Sequence, residues 1–343
     1  MNSRSEFPFI KVSGNKSAKF SSPIKIFLIV FILSLPIFWE INILEEKLKD
    51  FFYWREIAEN PQFLAAQANQ LILEQKLRNL EPFRNKNIPD LEIEAKSAIS
   101  VLVDNEGKEK VLFEKESNQK LPMASLTKLM TAWVVLEYYD LSKEITISKL
   151  ATNQYGDIRK LEEGKTFTTE YLLYPLLMES SNGAAFALTN DYEGNFIELM
   201  NREAKKIGLD DTLFNNSSGL DPEDSKTEIN YSTANDLVKL TKKLLEKPLI
   251  WDILSIPKYS EYGPELINTN RFLTIGYPAD WQDRIIGGKT GYTDKAGGCL
   301  LLVIKAPRSQ GFLISIILGS DGKENRFEEM RKLIDWLNQA YKW

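Results

Sequence analysis

The strongest constraint on this chain's fold is where its strand-like segments lie. Ser97 to Val103 alternates in polarity, breaks at Asp104-Asn105-Glu106-Gly107 and resumes at Val111-Leu112-Phe113, the pattern of a β-hairpin. Further runs of this kind come near the other end, at Arg284 to Ile286, Gly298 to Ile304 and Gly311 to Leu318. Between them, helical patterns occupy Ser125 to Tyr139, Thr169 to Leu177, Phe196 to Ile207 and Ser232 to Leu245, and Arg326 to Tyr341 closes the chain as a helix. Strands at both ends with helices between predict an α+β domain. Its terminal strands and last helix share one sheet.

Ahead of that domain, Arg4, Lys11, Lys16, Lys19 and Lys25 precede a run from Ile26 to Trp39 that carries no charge. This reads as a transmembrane signal anchor over 24–44 with residues 1–23 as a basic cytoplasmic tail. The run ends in Pro36-Ile37-Phe38-Trp39-Glu40 without a small-x-small cleavage site, and Trp39 suits the outer interface. A cleaved signal peptide and a plain buried helix are the alternatives. Residues 45–90 read as a helical stalk and linker: Pro61 begins a second helix, and Pro82, Asn85, Asn87 and Pro89 break the pattern. The domain is then expected over 91–343, outside the cytoplasmic membrane.

Composition narrows the chemistry. The 343 residues include no histidine and one cysteine, too few ligands for the usual zinc sets, so no metal cofactor is expected. Cys299, in the apolar run Gly298 to Val303, reads as a buried strand residue. A net charge of -5 offers no basic field for nucleic acid.

Without histidine, a serine nucleophile needs another base. Ser125-Leu126-Thr127-Lys128 places a hydroxyl and an amine on one helix face, at an end with free N–H groups and positive dipole. A free lysine has a pKa of about 10.4, so serving as a base at neutral pH requires lowering it by roughly 4 kcal/mol. Burial and a second cation, for which Lys289 is the candidate, would do so. The pair alone also describes an ordinary helix start with a solvent-facing lysine. Ser180-Ser181-Asn182 likewise reads alone as a helix-terminal loop. On a strand, Gly287-Gly288-Lys289-Thr290-Gly291 would let a substrate backbone lie close at Gly291 while Lys289 and Thr290 bind a carboxylate.

In order, these are the S-x-x-K, S-x-N and K-T-G motifs of penicillin-binding proteins and class A β-lactamases. From about Ile99 onward the chain resembles the D-alanyl-D-alanine carboxypeptidase family. The likeness includes Pro122 to Thr131, Leu176 to Asn182, Phe214 to Asp221, Tyr231 to Leu237, Asn268 to Asn270 and Gly288 to Thr293. The resemblance implies an antiparallel sheet flanked by a helical cluster, no cofactor, and a peptidoglycan stem peptide as substrate, with β-lactams acylating Ser125. It implies Ser125 as nucleophile, Lys128 as base, Ser180 as proton relay and Asn182 orienting the substrate and the lysine. Lys289 and Thr290 would hold the terminal carboxylate, and the backbone N–H groups of Ser125 and Tyr292 would form the oxyanion hole. Arg326, read as preceding the last helix, resembles a family arginine that also grips the carboxylate, and reads equally as a solvated helix-start residue. The chain departs from the family at Gly183, where an acidic or polar residue is common.

Three other readings share these residues. A β-lactamase needs a group that activates deacylating water, and Glu193 and Glu198 follow the second motif. An endopeptidase or transpeptidase differs only in scissile bond or acceptor. A non-catalytic wall-binding module would use the stalk to recruit a partner.

Overall fold

In the computed structural model, the N-terminal hairpin and the C-terminal strands meet in one sheet. The structure describes residues 82–157, 161–224, 226–261, 265–274, 281 and 283–343, with isolated residues between 27 and 72. The sheet comprises β1 (Ser97–Val103), β2 (Glu109–Lys115), β3 (Ile285–Thr293), β4 (Gly297–Lys305) and β5 (Phe312–Ser320). Their order is β3-β4-β5-β1-β2, with every neighbouring pair antiparallel. β1 is buried at all its positions, which is why its sequence is almost continuously apolar: it lies inside the sheet with both faces covered. Its Ser100 spends its hydroxyl on Ser315 across the ladder, Oγ to Oγ 3.0 Å.

The period of two sorts β4 between two cores. Leu300, Leu302 and Ile304 face α7 (Gly322–Ala340) with Met330, Leu333 and Leu337, whereas Leu301 and Val303 face the helical subdomain. That subdomain holds α1 (Thr127–Tyr138), α2 (Thr169–Tyr174), α3 (Asn182–Asn190), α4 (Phe196–Ile207), α5 (Ala234–Leu244) and α6 (Pro248–Ser255). α1 buries every residue from Thr127 to Val135, so it is the central helix and its N-terminus points the Ser125 turn at the sheet.

Three expectations change here. α7 begins at Gly322, so Arg326 lies inside the helix and is buried, not at a solvated start before it. The polar stretch Gly322 to Asn325 has no apolar period to reveal that first turn. α2 ends at Tyr174, and Pro175–Glu179 continues as a π-helical turn. Asn182 opens α3, whose small residues Gly183, Ala184 and Ala185 show no helical period. Its legible signal was the Ser181 cap, whose Oγ accepts from Ala184 N.

The chain divides into two compact units, Met1–Gln75 and Lys76–Trp343. The second includes Phe83–Arg84, which pairs antiparallel with Tyr341–Lys342, so part of the expected linker is tied to the domain. In the first, residues 44, 45, 47–49, 51 and 52 are helical, with a Glu45–Lys49 ion pair of 2.7 Å. The expected anchor at 24–44 lies outside the described residues except for Phe27, Phe31 and Leu44. Among the described residues no helix is long and apolar enough to cross a membrane.

Candidate active site

Ser125 sits in a 3₁₀ turn, Ala124–Leu126, that runs into α1. Ala124 has φ 48°, a left-handed value that residues with a Cβ rarely adopt. The loop 216–219 holds this strained turn from behind. Gly219, at φ +82°, packs so closely that a Cβ there would lie 1.9 Å from Ala124 O. Asn216 Oδ1 accepts from Gly219 N (2.6 Å) and Ser218 N (3.2 Å), while Asn230 Nδ2 donates to Thr127 Oγ1 (3.0 Å) and Asn216 O (2.8 Å).

This loop also delivers the Ser218 carbonyl to the lysine. Lys128 is fully buried, and its Nζ lies 2.9 Å from Ser125 Oγ, 2.7 Å from Asn182 Oδ1 and 2.7 Å from Ser218 O. Two of those partners are carbonyl oxygens, which only accept. A neutral amine has two N–H groups, and donating both to the carbonyls leaves its lone pair facing the Ser125 hydroxyl. Burial lowers the Lys128 pKa to about 7, with the Asp157 carboxylate pulling the other way. The second cation, Lys289, is itself buried and repelled by Lys128. Its own buried amine is pushed well below the ordinary value, by burial first and then by the charges of Lys128 and Arg326. Desolvation is the largest cause of the lowered Lys128 value.

Ser180 ends the π-helical turn at φ 63°, another strained position at a cleft wall. Its Oγ is buried and has no hydrogen-bond partner among the described residues. Asn182 donates from Nδ2 to Tyr155 O (2.6 Å), which turns its Oδ1 toward Lys128.

The cleft in front of Ser125, about 550 Å³, is lined by Ser180, Asn182, Thr290, Gly291, Tyr292 and Arg326, with Tyr155, Thr269 and Arg271 among the others. β3 forms one wall, and it is the edge of the sheet, so an extended ligand can add alongside it. Gly291 lets the strand approach closely: a Cβ would crowd Ser125 N at 3.0 Å and Met123 O at 3.1 Å. Thr290 Oγ1 donates to Thr269 Oγ1 (2.8 Å), and Arg326 Nη1 donates to Gly291 O (2.7 Å). Burial lowers the Arg326 pKa to about 10, which leaves it charged at neutral pH. Lys289, by contrast, is not a lining residue; its Nζ donates to Thr290 O (3.1 Å) beneath the strand. Glu193 and Glu198 are exposed and line no part of the cleft. Sequence reasoning assigned no role to Tyr155, Asp157, Ser218 or Thr269. Two of these act through backbone carbonyls, which no side-chain motif can signal.

Residues 84–322 match the family model of peptidase S11, D-alanyl-D-alanine carboxypeptidase. The chain belongs to this family. As a peptidase S11 member it is 31% identical over 271 residues to the D-alanyl-D-alanine carboxypeptidase DacF of Bacillus subtilis, a match covering 75% of this chain and 65% of that relative. It is 30% identical over 249 residues to a D-alanyl-D-alanine endopeptidase of Pseudomonas aeruginosa, covering 69% of this chain and 76% of the relative. Penicillin-binding protein D2 of Listeria monocytogenes, solved in its cefotaxime-bound form, superposes on this peptidase S11 fold with a TM-score of 0.62 at 28% identity, covering 73% of this chain and 99% of that one. The chain thus spans slightly less than two thirds of DacF.

Proposed function

We propose that this protein is a serine D-alanyl-D-alanine carboxypeptidase that removes the terminal D-alanine from peptidoglycan stem peptides. The observation that carries the reading is the Lys128 amine, held by two carbonyl acceptors so that its lone pair meets Ser125. Ser125 Oγ attacks the carbonyl carbon of the D-Ala-D-Ala amide as Lys128 Nζ takes its proton. The backbone N–H groups of Ser125 and Tyr292 receive the negative charge that forms on the oxygen. The C–N bond then breaks, and Ser180, whose hydroxyl has no partner among the described residues, relays a proton from Lys128 to the departing amine. Water hydrolyses the resulting ester. Thr290 and Arg326 hold the substrate carboxylate, and Lys289 supports them from beneath Thr290. Asn182 has a second Nδ2 hydrogen for a substrate carbonyl.

The relative solved in its cefotaxime-bound form supports β-lactams as ligands of this protein. Because one relative is named an endopeptidase, cleavage of cross-links is the second reading. The exposure of Glu193 and Glu198 counts against a β-lactamase that would use either. The full protein incubated with a labelled penicillin is expected to carry a lasting mass adduct on Ser125 that Ser125→Ala lacks; a wild-type protein that neither forms the adduct nor consumes penicillin would sink the proposal. On muropeptides, release of free D-alanine separates carboxypeptidase from endopeptidase.

The basic N-terminus and the charge-free run Ile26 to Trp39 support a single-pass anchor over 24–44 with the domain on the extracytoplasmic side. A mature protein that retains Met1 would agree with this, and one that begins after residue 44 would not.

A further inference from the structure

The geometry points to Asp157 as a positioning residue for the reaction: its carboxylate fastens the 155–157 loop to the first turn of α3, so that Asn182 presents Oδ1 to Lys128 and Nδ2 to the cleft. The inference rests on the reading of Ser125 and Lys128 as nucleophile and base.

Asp157 takes three hydrogen bonds from one helix start: Asn182 N at 2.5 Å on Oδ1, and Gly183 N and Ser181 Oγ, each at 2.9 Å, on Oδ2. A carboxylate that accepts the free N–H groups of a helix N-terminus is in its most favourable setting. Two residues earlier, Tyr155 O accepts from Asn182 Nδ2. The loop therefore grips Asn182 at both its backbone and its side chain. An amide rotated by a half turn would put Nδ2 against Lys128 and Oδ1 against Tyr155 O, donor on donor and acceptor on acceptor. Asp157 keeps the loop where only the productive orientation is satisfied.

Gly183 now has a reason. A Cβ there would lie 2.7 Å from Asp157 Oδ2 and 2.7 Å from Ala151 O, so no side chain fits while the carboxylate is in place. The glycine makes room for the carboxylate that arrives from the earlier loop.

Asp157 also acts on the base through space. Lys128 feels Asp157 from the loop and interacts with the buried Lys289 of β3, which in turn feels Arg326 of α7, while Glu179 lines the same cleft. The Asp157 carboxylate favours the charged form of Lys128, against desolvation. Removing it lowers the pKa of the base, so the acid limb of activity moves to lower pH.

The test measures acylation of the full protein by a labelled penicillin across pH, with thermal melting, for the wild type, Asp157→Asn, Asp157→Glu and Gly183→Ala. In Asp157→Asn one oxygen becomes an NH₂ that cannot accept from Gly183 N, and acylation is expected to slow about tenfold with its acid limb shifted to lower pH. Asp157→Glu keeps the charge and is expected to hold the wild-type limb. Gly183→Ala crowds both the carboxylate and Ala151 O and is expected to slow acylation as well; if the asparagine variant fails to fold, Asp157→Glu, which keeps the charge but moves the carboxylate, is expected to slow acylation without shifting the limb. An acid limb and rate unchanged in Asp157→Asn, with only the melting temperature lowered, would reduce Asp157 to a helix cap. Absence of a wild-type adduct would instead sink the reading of Ser125 itself.

Discussion

Lys128→Met is expected to leave Ser125 in place yet slow its acylation by a factor of about 10² to 10⁴, the usual worth of a positioned general base. Methionine fills the buried volume but has no nitrogen to take the proton. The pH dependence discriminates this from simple mispacking. Below about pH 7 the wild-type amine is protonated and has no lone pair, so its acylation rate rises with pH through the value set by burial. The methionine variant has no such group, and that limb should vanish. Penicillin acylation measured across neutral pH decides it: a variant within a few-fold of wild type, or one that keeps the same acid limb, would mean that another group is the base.

Gly219→Ala is expected to disable the site without touching a reacting atom. Its Cβ would lie 1.9 Å from Ala124 O, 2.4 Å from Ala124 C and 2.8 Å from Thr127 Oγ1, and φ is +82°. The Ser125 turn must move or the loop must leave, and either withdraws the Ser218 carbonyl from Lys128. Gly208 supplies the control, because its φ is +83° with no atom within 4 Å of an added Cβ. Gly208→Ala therefore meets only the left-handed backbone penalty of about 1 kcal/mol, whereas Gly219→Ala should lose about 3 kcal/mol or more and most of its acylation rate. Equal losses of melting temperature in the two variants would show that the close approach to Ala124 is unimportant.

The sheet was legible because its strands are short, mainly apolar runs bounded by turn residues. The Ser97 to Val103 boundaries were read as observed, and pairing of the terminal strands followed from where they lie in the chain. The motif residues were legible for a similar reason, since Ser125 with Lys128 and Ser180 with Asn182 are each set by one local turn. What escaped depended on distance or on the backbone. Asp157 reaches residues 24 to 26 positions away, and Ser218 contributes a carbonyl to a lysine 90 positions away. Arg326 was misplaced because the polar first turn of α7 has no apolar face to show. The full burial of Lys289 also escaped, because its charge can be read from the chain and its depth cannot.

The concealed amine of Lys128 has a bearing on the whole molecule. Holding a group near a pKa of 7 that would titrate near 10.5 in an unfolded chain subtracts roughly 4 kcal/mol from stability at neutral pH. The deficit is full in acid and fades as pH rises toward the unfolded value, because the unfolded chain binds the proton that the folded one refuses. A typical domain has a net margin of only about 5–15 kcal/mol. The continuous core around α1, with Leu126, Leu129, Met130 and Val134 wholly excluded from water, therefore does more than shape a cleft. It supplies the surplus that lets the protein tolerate an uncharged lysine at its centre.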